Sequence, residues 1–278
     1  MGKVIKQLGK AICYIILFGG MQFIAYFVAA AAIGAKVAFD MAATGGTPAA
    51  EEIAQRLTNT LWENMNWIQI LAYFLILFGA WFVFAIRKKK LLKEANVIPF
   101  SKNRILPIIL LAVSAVFLVE LFFSFIPEEI MLEYEASVAS LLYGNTVAVF
   151  LSTVIGAPII EELIFRGLVF SRLNKAMPLV VAAILSSIAF GLFHGQIVWI
   201  GYATCLGLVM CFVSVNCQSV LASILFHMVF NFLGSTPFLG YLLGENMVLT
   251  IIIEIAAVVI FIAMIFWMVR LRRLEETA

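Results

Sequence analysis

Residues 142–167 read LYGNTVAVFLSTVIGAPIIEELIFRG. The run is long and apolar enough to cross a bilayer, for which ~20 residues suffice. Yet it ends in Glu161, Glu162 and Arg166. An ionisable group in hydrocarbon costs at least ~2.5–3.5 kcal/mol on insertion scales, so such groups mark a functional candidate by default.

Working outward, similar apolar runs lie at about 11–35, 67–86, 105–126, 178–197, 198–214, 219–235 and 247–269. With 142–165 they make about eight spans. The division of 178–235 into three rests on Gly195 and on the stretch Val215–Ser219. The chain of 278 residues is 64% hydrophobic and 12% charged, against roughly 25% charged for soluble domains. An all-α, polytopic transmembrane bundle is expected. The first run follows MGKVIKQLGK and exceeds the ~7–15 apolar residues of a signal peptide, so it reads as a retained helix.

Charge orients the bundle. Lys3, Lys6 and Lys10 precede the first span; residues 87–104 hold Arg87, Lys88, Lys89, Lys90, Lys93, Lys102 and Arg104. Arg166, Arg172 and Lys175 follow the fourth span, and Arg270, Arg272 and Arg273 the last. Eight crossings put all four groups on one side, so both termini are expected in the cytoplasm. The opposite loops carry Asp40, Glu51, Glu52, Glu63, Glu128, Glu129, Glu133 and Glu135. Segment 49–65 reads either as an amphipathic helix on the outer face or as a solvated connector. A net charge of +2 is too small to argue for nucleic acid. The four cysteines form no CxxC pair and read as apolar packing residues. One membrane domain over 1–278 is expected: generic spans to about 136, a polar-rich core at about 137–235, and a last span at about 247–269.

Three clusters carry the unusual polar residues. Glu162 and Arg166 stand at i and i+4, acid first, the favourable order for an ion pair on one helix face. Glu161 points elsewhere and has no local partner, which suits a general base. Pro158 removes a helix hydrogen bond just ahead of it and could open room for water. His194 ends Phe190-Gly191-Leu192-Phe193-His194-Gly195, where Gly191 and Gly195 would allow a second helix to approach closely. His227 and Asn231 again stand at i and i+4. Both side chains can donate to a developing oxyanion, although Asn231 could equally serve to link helices. A carboxylate, two imidazoles and an amide form an inventory for adding water to a carbonyl. Glu161, His194 and His227 are also a candidate zinc set, though no HExxH is present. Glu120 and Glu254 read as packing or boundary residues, and Asn145, Gln196 and Asn216 as helix-end residues.

The order Glu161-Glu162-x-x-x-Arg166, Phe190-x-x-x-His194, His227-x-x-x-Asn231 resembles the CPBP family (CAAX protease and bacteriocin-processing, also called Abi), which includes the Ras-converting CAAX endopeptidase. The resemblance covers about residues 142–235. It implies an eight-helix bundle with an intramembrane cavity open towards the cytoplasm, and endopeptidase (hydrolase) activity on peptides. It also implies that Glu161 and His194 activate water, that His227 and Asn231 stabilise the oxyanion, and that Glu162, Arg166 and Phe190 support the site. The family is commonly classed as metalloprotease, so a divalent metal such as zinc is a candidate cofactor. Membrane lipid and a peptide or lipidated-protein substrate, prenylated CAAX tails included, are the implied partners, in the plasma membrane of a prokaryote. A non-enzymatic immunity factor or scaffold of the same fold is the alternative. A proton-coupled transporter is a third class, disfavoured because no inverted repeat is evident. The catalytic reading requires Glu161 and His194 to share a depth. On these boundaries that needs the fourth span to run on past Arg166, or the fifth to begin below the membrane.

Overall fold

A computed structural model describes residues 2–43, 49–236 and 247–277, and among these the regular elements are all helical. In lipid only a helix satisfies every backbone polar group within its own segment, and the apolar runs fold accordingly. The long helices are α1 (Gly2–Ala43) and α2 (Ala50–Ile86). After the short α3 (Leu91–Glu94) come α4 (Ile105–Phe123) and α5 (Glu128–Leu141). Next are α6 (Thr146–Leu173), α7 (Leu179–Leu192), α8 (Ile197–Asn216), α9 (Val220–Gly234) and α10 (Met247–Thr277).

Apolar helices occupy all eight expected places, but their lengths differ. Six are long and apolar enough to cross a membrane. The other two, α7 and α9, have 14 and 15 residues, or roughly 21–22 Å at ~1.5 Å per residue, short of a ~30 Å hydrocarbon core. Segment 49–65 is neither a separate surface helix nor a connector; it is the first half of the continuous α2. Asn145 and Gln196 are N-caps, accepting from Val147 N and Ala148 N and from Trp199 N. Asn216 closes α8 by donating to Phe212 O at 3.0 Å.

The α6 helix is not uniform. Phe150–Gly156 and Leu163–Phe170 are wound as π-helix around an α-helical Ala157–Glu162. Such wide turns inside α-helices are frequent at functional sites. Helix α6 continues past Arg166 to Leu173, the first of the two ways in which Glu161 and His194 could meet.

Polar contacts define the two ends of the bundle. At the basic end, Glu94 joins Lys89 of the α2–α3 link to Arg172 of α6, each at 2.5 Å. There too Asn96 Nδ2 donates to Gln218 O at 2.8 Å, and Arg104 meets Glu275 at 2.6 Å. At the other end Asn66 Nδ2 donates to Leu141 O and Tyr143 O, while Ser152 Oγ donates to Asn66 Oδ1 at 2.6 Å. Within the bundle α1 packs on α2, α4 on α10 and α9, and α7 on α8.

Candidate active site

Helices α6 and α9 present Glu161, Glu162, His227 and Asn231 to one another, and α7 delivers His194 from its far end. Glu162 is 0% exposed and receives Arg166 Nη1–H at 2.6 Å. The i, i+4 pair expected here forms even though the helix widens to π just after Glu162. The Arg166 guanidinium also stacks on Phe190, 4.3 Å from ring centroid to Cζ, a cation–π contact suited to a desolvated site. Room for it comes from Gly207 of α8, where a Cβ would sit 3.1 Å from Arg166 Nη2.

The Glu162–Arg166 pair orients a histidine. His227 is 5% exposed, and its Nδ1 lies 3.3 Å from Glu162 Oε1. A carboxylate can only accept, so Nδ1 carries the hydrogen and Nε2 is left with a lone pair. That Nε2 stands 3.9 Å from Glu161 Oε2. The gap is too long for a direct hydrogen bond and is the kind of separation a bridging water spans.

His194 was expected inside a helix running to about residue 197, but α7 stops at Leu192 and His194 occupies the turn into α8. Its Nδ1 is 3.2 Å from the Phe190 carbonyl, which can only accept, so its Nε2 too is left as an acceptor. Phe190 ties the two histidines together, with ring centroids 4.9 Å from His194 and 5.9 Å from His227. The glycines flanking this turn have different uses. Gly191 does permit close approach: a Cβ there would lie 2.2 Å from Thr204 Oγ1 and 2.8 Å from Ile200 O. Gly195 does not; nothing lies within 4 Å of its Cβ position, and its φ of +76° serves the turn instead.

Glu161, His194, His227 and Asn231 all line one cavity of about 290 Å³. Asn231 Nδ2 donates to Thr153 O at 2.8 Å, so one amide hydrogen links α9 to the first π segment of α6. Among the described residues the other has no partner. Sequence reasoning missed much of the wall. Gln69 and Tyr73 of α2, Tyr134 of α5, and Trp199 and Tyr202 of α8 line it as well. So does Glu120, which is therefore not a mere packing residue. A tyrosine or tryptophan in an apolar helix carries no signal that separates a cavity wall from a lipid contact; a lone acid such as Glu120 does. Among the described residues no group of three or more His, Cys, Asp or Glu is arranged to hold a metal.

Residues 143–233 match the family model described as Type II CAAX prenyl endopeptidase Rce1-like. No curated protein and no solved structure matches the chain significantly. The matched stretch begins just before α6 and ends within α9, so it contains Glu161, Glu162, Arg166, Phe190, His194, His227 and Asn231. Residues 143–233, about a third of the chain, are thus similar to the Rce1-like CAAX prenyl endopeptidases.

Proposed function

We propose that the chain is an intramembrane endopeptidase that hydrolyses a peptide bond of a membrane-associated peptide with water activated by Glu161. The observation that carries this reading is Glu161 itself: a carboxylate with no Lys or Arg partner among the described residues, 3.9 Å from His227 Nε2, facing the same cavity as His194 and Asn231. Its neighbour Glu162 already takes Arg166, so Glu161 is free for chemistry.

A water between Glu161 and the histidine nitrogens gives its proton to the Glu161 carboxylate as its oxygen attacks the substrate carbonyl carbon. The carbonyl π electrons move onto oxygen, and the second Asn231 N–H donates to that oxyanion. The proton then passes by way of His227, which Glu162 holds in one orientation, to the departing amide nitrogen as the C–N bond breaks. A carboxylate and an amine leave.

Helices α1, α2 and α4 to α9 line the cavity, and much of its wall comes from the half of the bundle remote from the basic loops. The lining takes the late part of α4 (Glu120, Phe123), the end of α5 (Leu142) and the early part of α8 (Trp199, Tyr202), and it reaches Ser235 beyond α9. If the basic end is cytoplasmic, both termini lie in the cytoplasm and the cavity faces the outer side. That departs from the cytoplasmic opening implied by the family resemblance.

The test is cleavage of a membrane-peptide library by purified protein in liposomes. Wild type is expected to cleave and Glu161→Gln to be inactive, with activity persisting in strong chelator. Equal cleavage by both proteins would overturn the assignment, and loss of activity in chelator would move the chemistry to a metal.

A further inference from the structure

The outer half of the cavity is built differently from its floor. Phe123, Tyr134, Trp199 and Tyr202 wall it. The Tyr134 ring centroid lies 4.9 Å from Phe123, 6.1 Å from Trp199 and 6.0 Å from Tyr202. The two tyrosine hydroxyls are 3.4 Å apart. This wall joins the catalytic floor through Trp199, whose ring centroid is 5.3 Å from that of His194.

Glu120 lines the same half. Its carboxylate is close enough to act electrostatically on both Tyr134 and Tyr202, and a second acid, Glu254 of α10, acts on Glu120 in turn. Among the described residues no cation pairs with Glu120. Among the described residues no Lys or Arg lines the cavity. An acid in the last turn of an apolar span, partly shielded from solvent, is costly unless something positive meets it. The surrounding faces are aromatic, and aromatic faces attract cations. An apolar occupant would leave Glu120 without a counter-charge, and an anionic one would be repelled.

We propose that the aromatic wall and Glu120 seat a cationic side chain, lysine or arginine, of the peptide whose backbone is cut at Glu161. The proposal rests on the proteolytic reading of the cavity floor and adds the substrate class. The acidic residues Glu128, Glu129, Glu133 and Glu135 on α5 lie at the same end and raise the local concentration of basic peptides.

The experiment measures binding, so that it does not depend on turnover. Glu161→Gln protein is reconstituted in phosphatidylglycerol vesicles, whose headgroup carries no cation. It is titrated with fluorescent membrane peptides that differ only in carrying lysine, norleucine or glutamate at one position, scanned along the chain. At one position the lysine peptide is expected to bind about tenfold more tightly than the norleucine peptide, and the glutamate peptide more weakly than both. Adding Glu120→Gln should erase the lysine preference while leaving norleucine binding unchanged. Tyr134→Phe should keep the preference and Tyr134→Leu should reduce it, because only the former retains a ring face. Equal affinity at every position, or a preference that survives Glu120→Gln, overturns the proposal. So does a preference that vanishes when phosphatidylethanolamine is added, since the seat would then hold a lipid ammonium. If lysine peptides bind selectively but the wild type cuts none of them, the proteolytic reading fails and the seat stands.

Discussion

Glu161 and Glu162 are neighbours in sequence with opposite prospects under mutation. Glu162 neutralises a guanidinium that is 2% exposed, so Glu162→Gln leaves Arg166 buried without a counter-charge. Breaking a buried pair in this way costs about 3–5 kcal/mol, and the variant should lose most of its folded yield and thermal stability in detergent. Glu161→Gln removes no ion-pair partner of Arg166. It should unfold like the wild type while kcat falls at least ~100-fold, the usual scale for loss of a general base. If both variants unfolded alike, the division of labour would be wrong. The pair was legible from its spacing alone, as were the shared faces of His227 and Asn231. Phe190 was legible as a neighbour of His194 but not as the platform for Arg166. That contact needs Gly207, which lies forty-one residues from Arg166 in the chain, and no local pattern announces a contact between helices.

At the scale of elements, a break between α7 and α8 could be read from Gly195, but α7 ends at Leu192, short of the expected boundary, and the purpose of each glycine could not be read. Gly191→Val drives a side chain into the Ile200 carbonyl and Thr204. It should destabilise the protein by about 3 kcal/mol and displace His194. Gly195→Ala meets open space and carries only backbone strain, about 1 kcal/mol. Thermal unfolding of the two variants should rank them in that order. The π turns of α6 were illegible, because a change from i+4 to i+5 hydrogen bonding leaves the apolar composition unchanged. At the lower end of α6 the clamp on α3 has a pH signature. Hydrogen bonds from Lys89 and then Arg172 pull the Glu94 carboxyl down from 4.5 to about 2. The folded chain thus binds this proton less readily than the unfolded one. The clamp contributes fully above pH 4.5, and its contribution is lost as pH falls towards 2. The melting-temperature gap between wild type and Glu94→Gln should therefore be constant near neutrality and close on acidification below pH 4.5. A gap that instead opened on acidification would mean that Glu94 stabilises the fold as a neutral acid.

For the whole molecule, charge and cavity together decide from which side a substrate arrives. Contacts among α2, α3, α6 and α10 gather Lys89, Arg104, Arg172 and Arg272 at one end of the bundle. The cavity reaches Leu142 and Ser235 at the other. The eight apolar helices and the gathering of basic residues at one end were legible because each depends on composition along the chain. The cavity wall was not, since it is assembled from residues of separate helices such as Tyr73, Tyr134 and Trp199. A membrane-impermeant thiol reagent on intact cells separates the two possible orientations, with the native cysteines of the wild type as the blank. Ser235→Cys at the cavity rim should label from outside. Lys102→Cys, exposed at the basic end, should label only after permeabilisation. A large apolar peptide filling the cavity should protect Ser235→Cys and leave Lys102→Cys unaffected. The reverse labelling pattern would place the basic loops outside against the usual charge rule. It would turn the cavity to the cytoplasm, so peptides delivered from within the cell would become the substrates to test.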